Sequence, residues 1–179
     1  MSARLPIDTP RLCLRKVRPE DVRALVAIWT NPEVTGYMGG PRDREKVERI
    51  LDAEARSDQT DEIGLWPVTE KATGEVIGDC GLTRKDIDGD EEVELVYVFA
   101  RGAWGRGYAT EAAAAIRDYA FDRLGLDRLV ALIDPANTAS EKVAVKIGMT
   151  HEKDAVRPDG AVRRVYVLKK PPREGRAMG

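Results

Sequence analysis

Residues 100–112, Ala-Arg-Gly-Ala-Trp-Gly-Arg-Gly-Tyr-Ala-Thr-Glu-Ala, hold three glycines, Gly102, Gly105 and Gly107, within six positions. Before them stands the apolar run Val93-Glu94-Leu95-Val96-Tyr97-Val98-Phe99, and after them an alanine-rich stretch with helical spacing. Apolar strand, glycine loop and helix in that order put the free N–H groups of a helix's first turn where an anion can reach them. Gly105 and Gly107 remove the Cβ atoms that would block the approach, and Arg106 adds charge. A left-handed turn before a helix accounts for the same glycines. Two named phosphate loops do not fit. A P-loop needs a lysine after its last glycine, and none follows. A Rossmann loop needs a glycine where Thr110 stands, and its acid, for which Asp127 is the candidate, should end a strand rather than precede one.

Outward from this segment, Arg11–Val17 alternates as a strand. Pro19 opens a helix with Glu20 and Asp21 in its first turn and Val22, Leu25, Val26 and Trp29 on one face. Thr30-Asn31-Pro32-Glu33 breaks it, and a second helix is predicted over about 43–55. Residues 62–70 and 75–83 read as a hairpin, with Pro67 pointing to an edge or a bulge. Residues 86–92 read as a turn and 93–99 as the fourth strand. The next helix runs from Tyr108 to about Leu124, with Ala109, Ala112, Ala113, Ile116, Ala120 and Leu124 on one face, and Gly125 stops it. A fifth strand at 128–133, a helix closed by Gly148, and a hairpin of 150–156 with 162–169 complete the chain. The order β-α-α-β-β-β-α-β-α-β-β implies an α/β (α+β) fold with a mixed sheet and helices on both faces.

The 179 residues suit one domain, over 1–170, with a charged Pro/Gly-containing tail at 171–179. A net charge of -2 argues against nucleic acid as a partner. No apolar run approaches the length of a membrane span, and Met1–Leu12 has no signal-peptide h-region. Cys13 and Cys80 match neither a metal nor a redox spacing, so no metal and a reduced, cytoplasmic setting are expected.

Trp104-Gly105-Arg106-Gly107-Tyr108-Ala109-Thr110-Glu111-Ala112 resembles the pyrophosphate loop of the GNAT acetyltransferases, in the branch similar to ribosomal-protein N-terminal alanine acetyltransferases. The superfamily pattern is Q/R-x-x-G-x-G/A. Trp104 replaces the first residue, as is usual in this branch. Similarity continues in residues 9–25, in Asn31–Met38, in Gly74–Leu82, in Val93–Phe99 and in Asp134–Met149, so it covers about 9–169. It implies about seven strands, mostly antiparallel, splayed between the fourth and fifth. It also implies acetyl-CoA as cosubstrate, an amine acceptor (a protein N-terminus or a small molecule), direct transfer in a ternary complex, and a homodimer as assembly.

Carried over by residue, the resemblance gives the pyrophosphate to the backbone of Gly105, Arg106, Gly107, Tyr108, Ala109 and Thr110, next to Trp104. It gives the pantetheine arm to the backbone of Val98 and Phe99 and to Asn137, and it sets Ser140 near the sulfur. Asn137 and Ser140 are also good helix caps, and only one can be the cap. Many superfamily members donate a proton from a Tyr at the position of Ala144. Without it, Ser140 is the candidate acid. Glu94, sharing a face with Val96, Val98 and Glu92 and opposite Leu95 and Tyr97, is the candidate base. Glu111 is explained by the helix dipole. His151 reads as a surface residue, and the acids between Asp86 and Glu92 as a solvated turn. Tyr37, Met38 and Trp66 are candidate walls of an acceptor pocket, while Trp29 reads as core. The rival in another class is a degenerate acyl-CoA-binding sensor.

Overall fold

The computed structural model describes residues 5–171. All but Pro171 of the predicted tail lies outside them. The strands are β1 (Ile7–Asp8), β2 (Leu12–Leu14), β3 (Leu65–Glu70), β4 (Val76–Ile87), β5 (Asp90–Phe99), β6 (Arg128–Ile133), β7 (Thr150–Val156) and β8 (Val162–Lys169). The helices are α1 (Val22–Trp29), α2 (Pro32–Thr35), α3 (Arg44–Arg56), α4 (Tyr108–Asp118) and α5 (Thr138–Lys146). The eight strands form one sheet in the order β1-β2-β3-β4-β5-β6-β8-β7. One strand more than expected comes from Ile7–Asp8, which folds back antiparallel on Cys13 and Leu14. The predicted break after Trp29 is itself a one-turn helix, α2, because the Asn31 side chain accepts the Glu33 N–H.

Residues 86–92 are strand except for a two-residue turn at Asp88 and Gly89. Asp88 and Gly89 take φ of 56° and 92°, so two residues suffice to reverse the chain. β4 and β5 then pair without interruption from Gly78–Phe99 to Ile87–Asp90. The acids there are matched by cations: Glu91 with Arg84 (2.8 Å), Glu92 with Arg128 (3.0 Å) and Asp88 with Lys153 (2.6 Å). Pro67 lies in an interior strand, not at an edge, and the register shift falls beside it, between Val68 and Thr69.

Alternation divides the sheet into two faces. Cys80, Leu82, Leu95 and Phe99 join the main core with Ala112, Ala113, Ile116 and Ala120, each of these four fully buried. The predicted face of the alanine-rich helix is therefore the packed one, although the helix loosens to a π turn over Tyr119–Arg123. On the other face α1 and α3 close a second cluster around Val22, Leu25, Val26 and Leu51.

One constraint positions the site. β5 and β6 run parallel and share a single register pair, Glu94 with Val130. Beyond it they diverge, each holding its outer neighbour, β4 and β8 respectively.

β4 also passes close to the segment before β3. A Cβ at Gly81 would stand 2.0 Å from the Gly64 carbonyl oxygen. We expect Gly81→Ala to destabilise the fold by about 2 kcal/mol or more, read as a lower urea midpoint at unchanged m-value.

Candidate active site

α4 starts at Tyr108 with Gly107 at its N-cap, and no side chain caps its first turn. Gly105 and Gly107 have φ of 74° and 80°, a region glycine enters without a Cβ clash. No atom lies within 4 Å of a Cβ built at Gly105, and only Arg11 Nη2, at 3.4 Å, faces one at Gly107. The glycines answer to backbone geometry and leave the helix N-terminus open.

Arg11, far away in sequence, supports this loop from below. Its Nη1 donates to the Arg106 carbonyl (2.9 Å) and its Nε to Glu111 Oε2 (2.7 Å). Its guanidinium lies 4.4 Å from the Tyr108 ring centroid, and Arg106 lies 4.8 Å from the same centroid. Arg106 reaches Glu70 at 3.3 Å, and the Tyr108 hydroxyl donates to Glu70 as well. Glu111 accepts from Thr9 Oγ1 (2.6 Å) and the Arg11 N–H (2.9 Å). Partial burial opposes its charge, yet the hydrogen bonds from Thr9 and Arg11 hold its carboxyl below the usual range. The dipole account of Glu111 is thus incomplete: it clamps the N-terminal segment to α4. The two guanidinium groups are paired with Glu111 and Glu70, and it is the uncapped helix start above them that attracts an anion.

Ala100 N–H donates to Ile77 on β4. In an antiparallel ladder the backbone of Val98 therefore also points to β4, and that of Tyr97 and Phe99 points toward β6. This corrects the expectation for Val98, whose backbone is engaged in the sheet. The Phe99 carbonyl accepts from Trp104 Nε1 (2.8 Å), with Arg101 stacked 4.6 Å from the indole. Trp104 thus fixes the strand end to the loop, and the Tyr97 backbone and Phe99 N–H face the splay.

Asn137 is the cap of α5: its Oδ1 accepts the Ser140 N–H at 3.1 Å. Ser140 has a different partner. Tyr97 donates its hydroxyl to the Ser140 carbonyl (2.9 Å), which leaves Ser140 Oγ–H to donate to the Tyr97 oxygen at 3.0 Å. Burial pushes the Tyr97 phenol up to about 12, so it stays protonated. Ala144 is fully buried. The chain brings a tyrosine to the Ser140 side of the splay from the strand, not from the helix. Sequence alternation placed Tyr97 opposite Glu94 but gave no sign of its partner.

Glu94 stands at the point where β5 and β6 meet, 9% exposed. Thr83 Oγ1 donates to it (3.3 Å) and Lys85 lies at 3.9 Å. Burial raises its carboxyl above the usual range, opposed by Lys85, by the Leu132 backbone and by Thr83. Glu92 is occupied by Arg128. On the same face and opposite Val98 lies Asp79, which sequence reasoning missed. Its signal was a lone acid inside the apolar run Val76-Ile77-Gly78-Asp79-Cys80-Gly81-Leu82. Trp29 Nε1 donates to Asp79 Oδ2 at 2.8 Å. Trp29 is half-buried and bridges α1 to the sheet, not core as expected. Burial pushes the Asp79 carboxyl up to about 7, against the Trp29 bond and with Glu54 adding to the rise.

The other aromatic candidates separate. Trp66 is 3% exposed and packs edge-on against Tyr119 in the main core. Tyr37 is exposed and Met38 half-buried in the turn after α2. His151 lies on the surface of β7, 2.8 Å from Asp154. Among the described residues no cluster of His, Cys, Asp and Glu is arranged to hold a metal, and no helix is long and apolar enough to cross a membrane.

Residues 11–150 match the family model of the acetyltransferase (GNAT) domain. The chain is 37% identical to the YkkB protein of Bacillus subtilis (strain 168) over 154 residues, 86% of this chain and 90% of that one. It is 30% identical to the crystal structure of an acetyltransferase from Agrobacterium tumefaciens str. C58, with a TM-score of 0.78 over 95% of this chain and 97% of the other. The spermidine N-acetyltransferase from Vibrio cholerae, solved with CoA and spermine, shares the fold at 15% identity, with a TM-score of 0.73 over 90% and 96% of the two chains. Loop, splay and sequence agree, and the chain belongs to the GNAT family of acetyltransferases.

Proposed function

We propose that the protein moves an acetyl group from acetyl-CoA directly to a primary amine, with both substrates bound at once. The observation that carries this is the uncapped start of α4 behind Gly105 and Gly107, opening beside two strands that part at Glu94. Gly105, Arg106, Gly107, Tyr108, Ala109 and Thr110 would hold the pyrophosphate by their backbone, with Trp104 setting the loop's entry. The amide nitrogen of Asn137, left over from capping, and the backbone of Tyr97 and Phe99 would hold the pantetheine arm. Acetyl-CoA supplies a thioester, and the acceptor nitrogen attacks its carbonyl carbon.

That nitrogen must be neutral, whereas an α-amine has an ordinary pKa near 7.7–8.0 and a lysine near 10.4. Glu94, raised by burial toward the working pH, takes the proton, directly or through water. Ser140 turns its hydroxyl from the Tyr97 oxygen to give a proton to the leaving thiolate and regains one from solvent, while Glu94 releases the amine's proton to solvent. A strand N–H turned to the splay, that of Tyr97 or Phe99, polarises the carbonyl. Free Cys13 and buried Cys80 suit a reducing, cytoplasmic setting.

An acetyl-CoA turnover assay across peptides and small amines tests this: CoA release should depend on the amine. Slow release that no amine accelerates would instead mark an acyl-CoA sensor. Gly107→Glu should weaken CoA binding at least about tenfold, since it fills the cradle with a like charge. Glu111→Ala should weaken CoA binding without touching CoA, because Arg11 loses its anchor; unchanged affinity would sever Glu111 from the loop. Glu94→Gln should lower kcat/KM about a hundredfold or more. It should also abolish the limb over which the rate rises with pH, since Glu94 acts as base only above its raised pKa.

A further inference from the structure

At the mouth of the splay the first turn of α5 ties together strands whose ladder stops at the single pair Glu94 with Val130. Two consecutive residues make the tie. Ser140 is held from β5: Tyr97 donates to its carbonyl at 2.9 Å, and its hydroxyl lies 3.0 Å from the same phenol. Glu141 is held from the other half of the sheet. Tyr166 of β8 donates its hydroxyl to Oε1, and Arg164 of the same strand lies 3.3 Å from Oε2. Both carboxylate oxygens are thus engaged by β8. Tyr166 is 3% exposed, and a buried phenol needs an acceptor. Burial, and after it the bond to Glu141, push its ionisation up, so it stays a donor. An acid in a helix's first turn also suits the dipole. The dipole asks only for charge, however, and not for a β8 partner on each oxygen.

A turn fastened by Tyr97 alone could pivot on that hydrogen bond. We propose that Glu141, anchored by Tyr166, is a positioning residue: it sets the first turn of α5 across the splay and so aims Ser140 Oγ at the thiolate that leaves beside β5. A hydroxyl bonded to a carboxylate is roughly twice as strong a tie as a neutral pair, which suits a fixed strut. Asn137 is secured separately. Its N–H donates to the Asp134 carbonyl (2.8 Å), and Asp134 is paired with Arg163 (3.1 Å). Loosening Glu141 therefore moves Ser140 and leaves the residue proposed for the pantetheine arm in place. This assignment rests on the acetyl-transfer proposal and on Ser140 as its proton donor.

Tyr166→Phe in the full chain provides the test. It removes one hydroxyl, keeps the ring in the core and leaves Glu141 its charge at the helix start. The substrates are acetyl-CoA and the fastest acceptor among n-butylamine, lysine and a peptide with a free alanine N-terminus, with CoA release as the signal. kcat should fall about threefold to tenfold, the worth of one hydrogen bond, while KM for acetyl-CoA should stay within about twofold. Glu141→Ala, a change at a partly exposed side chain, should lose at least as much and serves alone if a melting curve shows the core variant unfolded. Glu141→Gln should recover most of the loss, since its amide oxygen can still accept from Tyr166. In a Ser140→Ala background neither Tyr166→Phe nor Glu141→Ala should cost anything further, because nothing is left to aim. An unchanged kcat overturns the assignment, and so does an equal loss with and without Ser140, the mark of a tie that only stabilises the fold. If Ser140→Ala keeps the full rate, Ser140 is not the donor: the assignment fails and acetyl transfer stands. CoA release that none of the acceptors speeds up brings down both.

Discussion

A single residue pair, Glu94 with Val130, joins the two halves of the sheet. The rest of the site follows from what happens beyond it. β5 continues to hold β4 and β6 continues to hold β8, so neither can close on the other. The backbone of Tyr97 and Phe99 is left facing a gap, and the loop that follows β5 brings the start of α4 to that gap. An amide-bearing chain can lie where a strand is missing, with its anionic end at a helix N-terminus.

The two faces of the splay are chemically different because strand alternation makes them so. One face carries Tyr97, which meets Ser140, and packs under α4 and α5. The other carries Glu94 and Asp79 and is reached from α1 through Trp29. At the loop Arg11 and Arg106 flank Tyr108, each paired with an acid, Glu111 and Glu70. Acids gather beneath α1 and α3, where Glu54 bears on Asp79. The proposed proton donor thus stands on one side of β5 and the proposed base on the other.

Several local elements were legible because their causes are local. Gly105 and Gly107 announce left-handed backbone, the alanines of α4 announce a tightly packed face, and Asn137 announces a cap. The Asp88-Gly89 turn was misjudged because the acids around it suggested solvent, while the two-residue geometry lets both strands run on into the hairpin. Val98 was assigned to the splay by its place at the strand end. Which edge its backbone faces depends on the register with β4, and no run of residues states that.

The sequence by itself determined the order of the longer strands and helices, the glycine loop before α4 and the family, since periodicity, turn chemistry and motif spacing are written in neighbouring residues. Only the tertiary structure decided which distant side chains meet: Arg11 under the loop, Tyr97 on Ser140, Trp29 on Asp79. The physical reason is that these contacts join positions between 43 and 100 apart in the chain. Their energetics depend on burial and on missing donors, as the raised Asp79 carboxyl shows, and both exist only once the sheet and helices have closed around them.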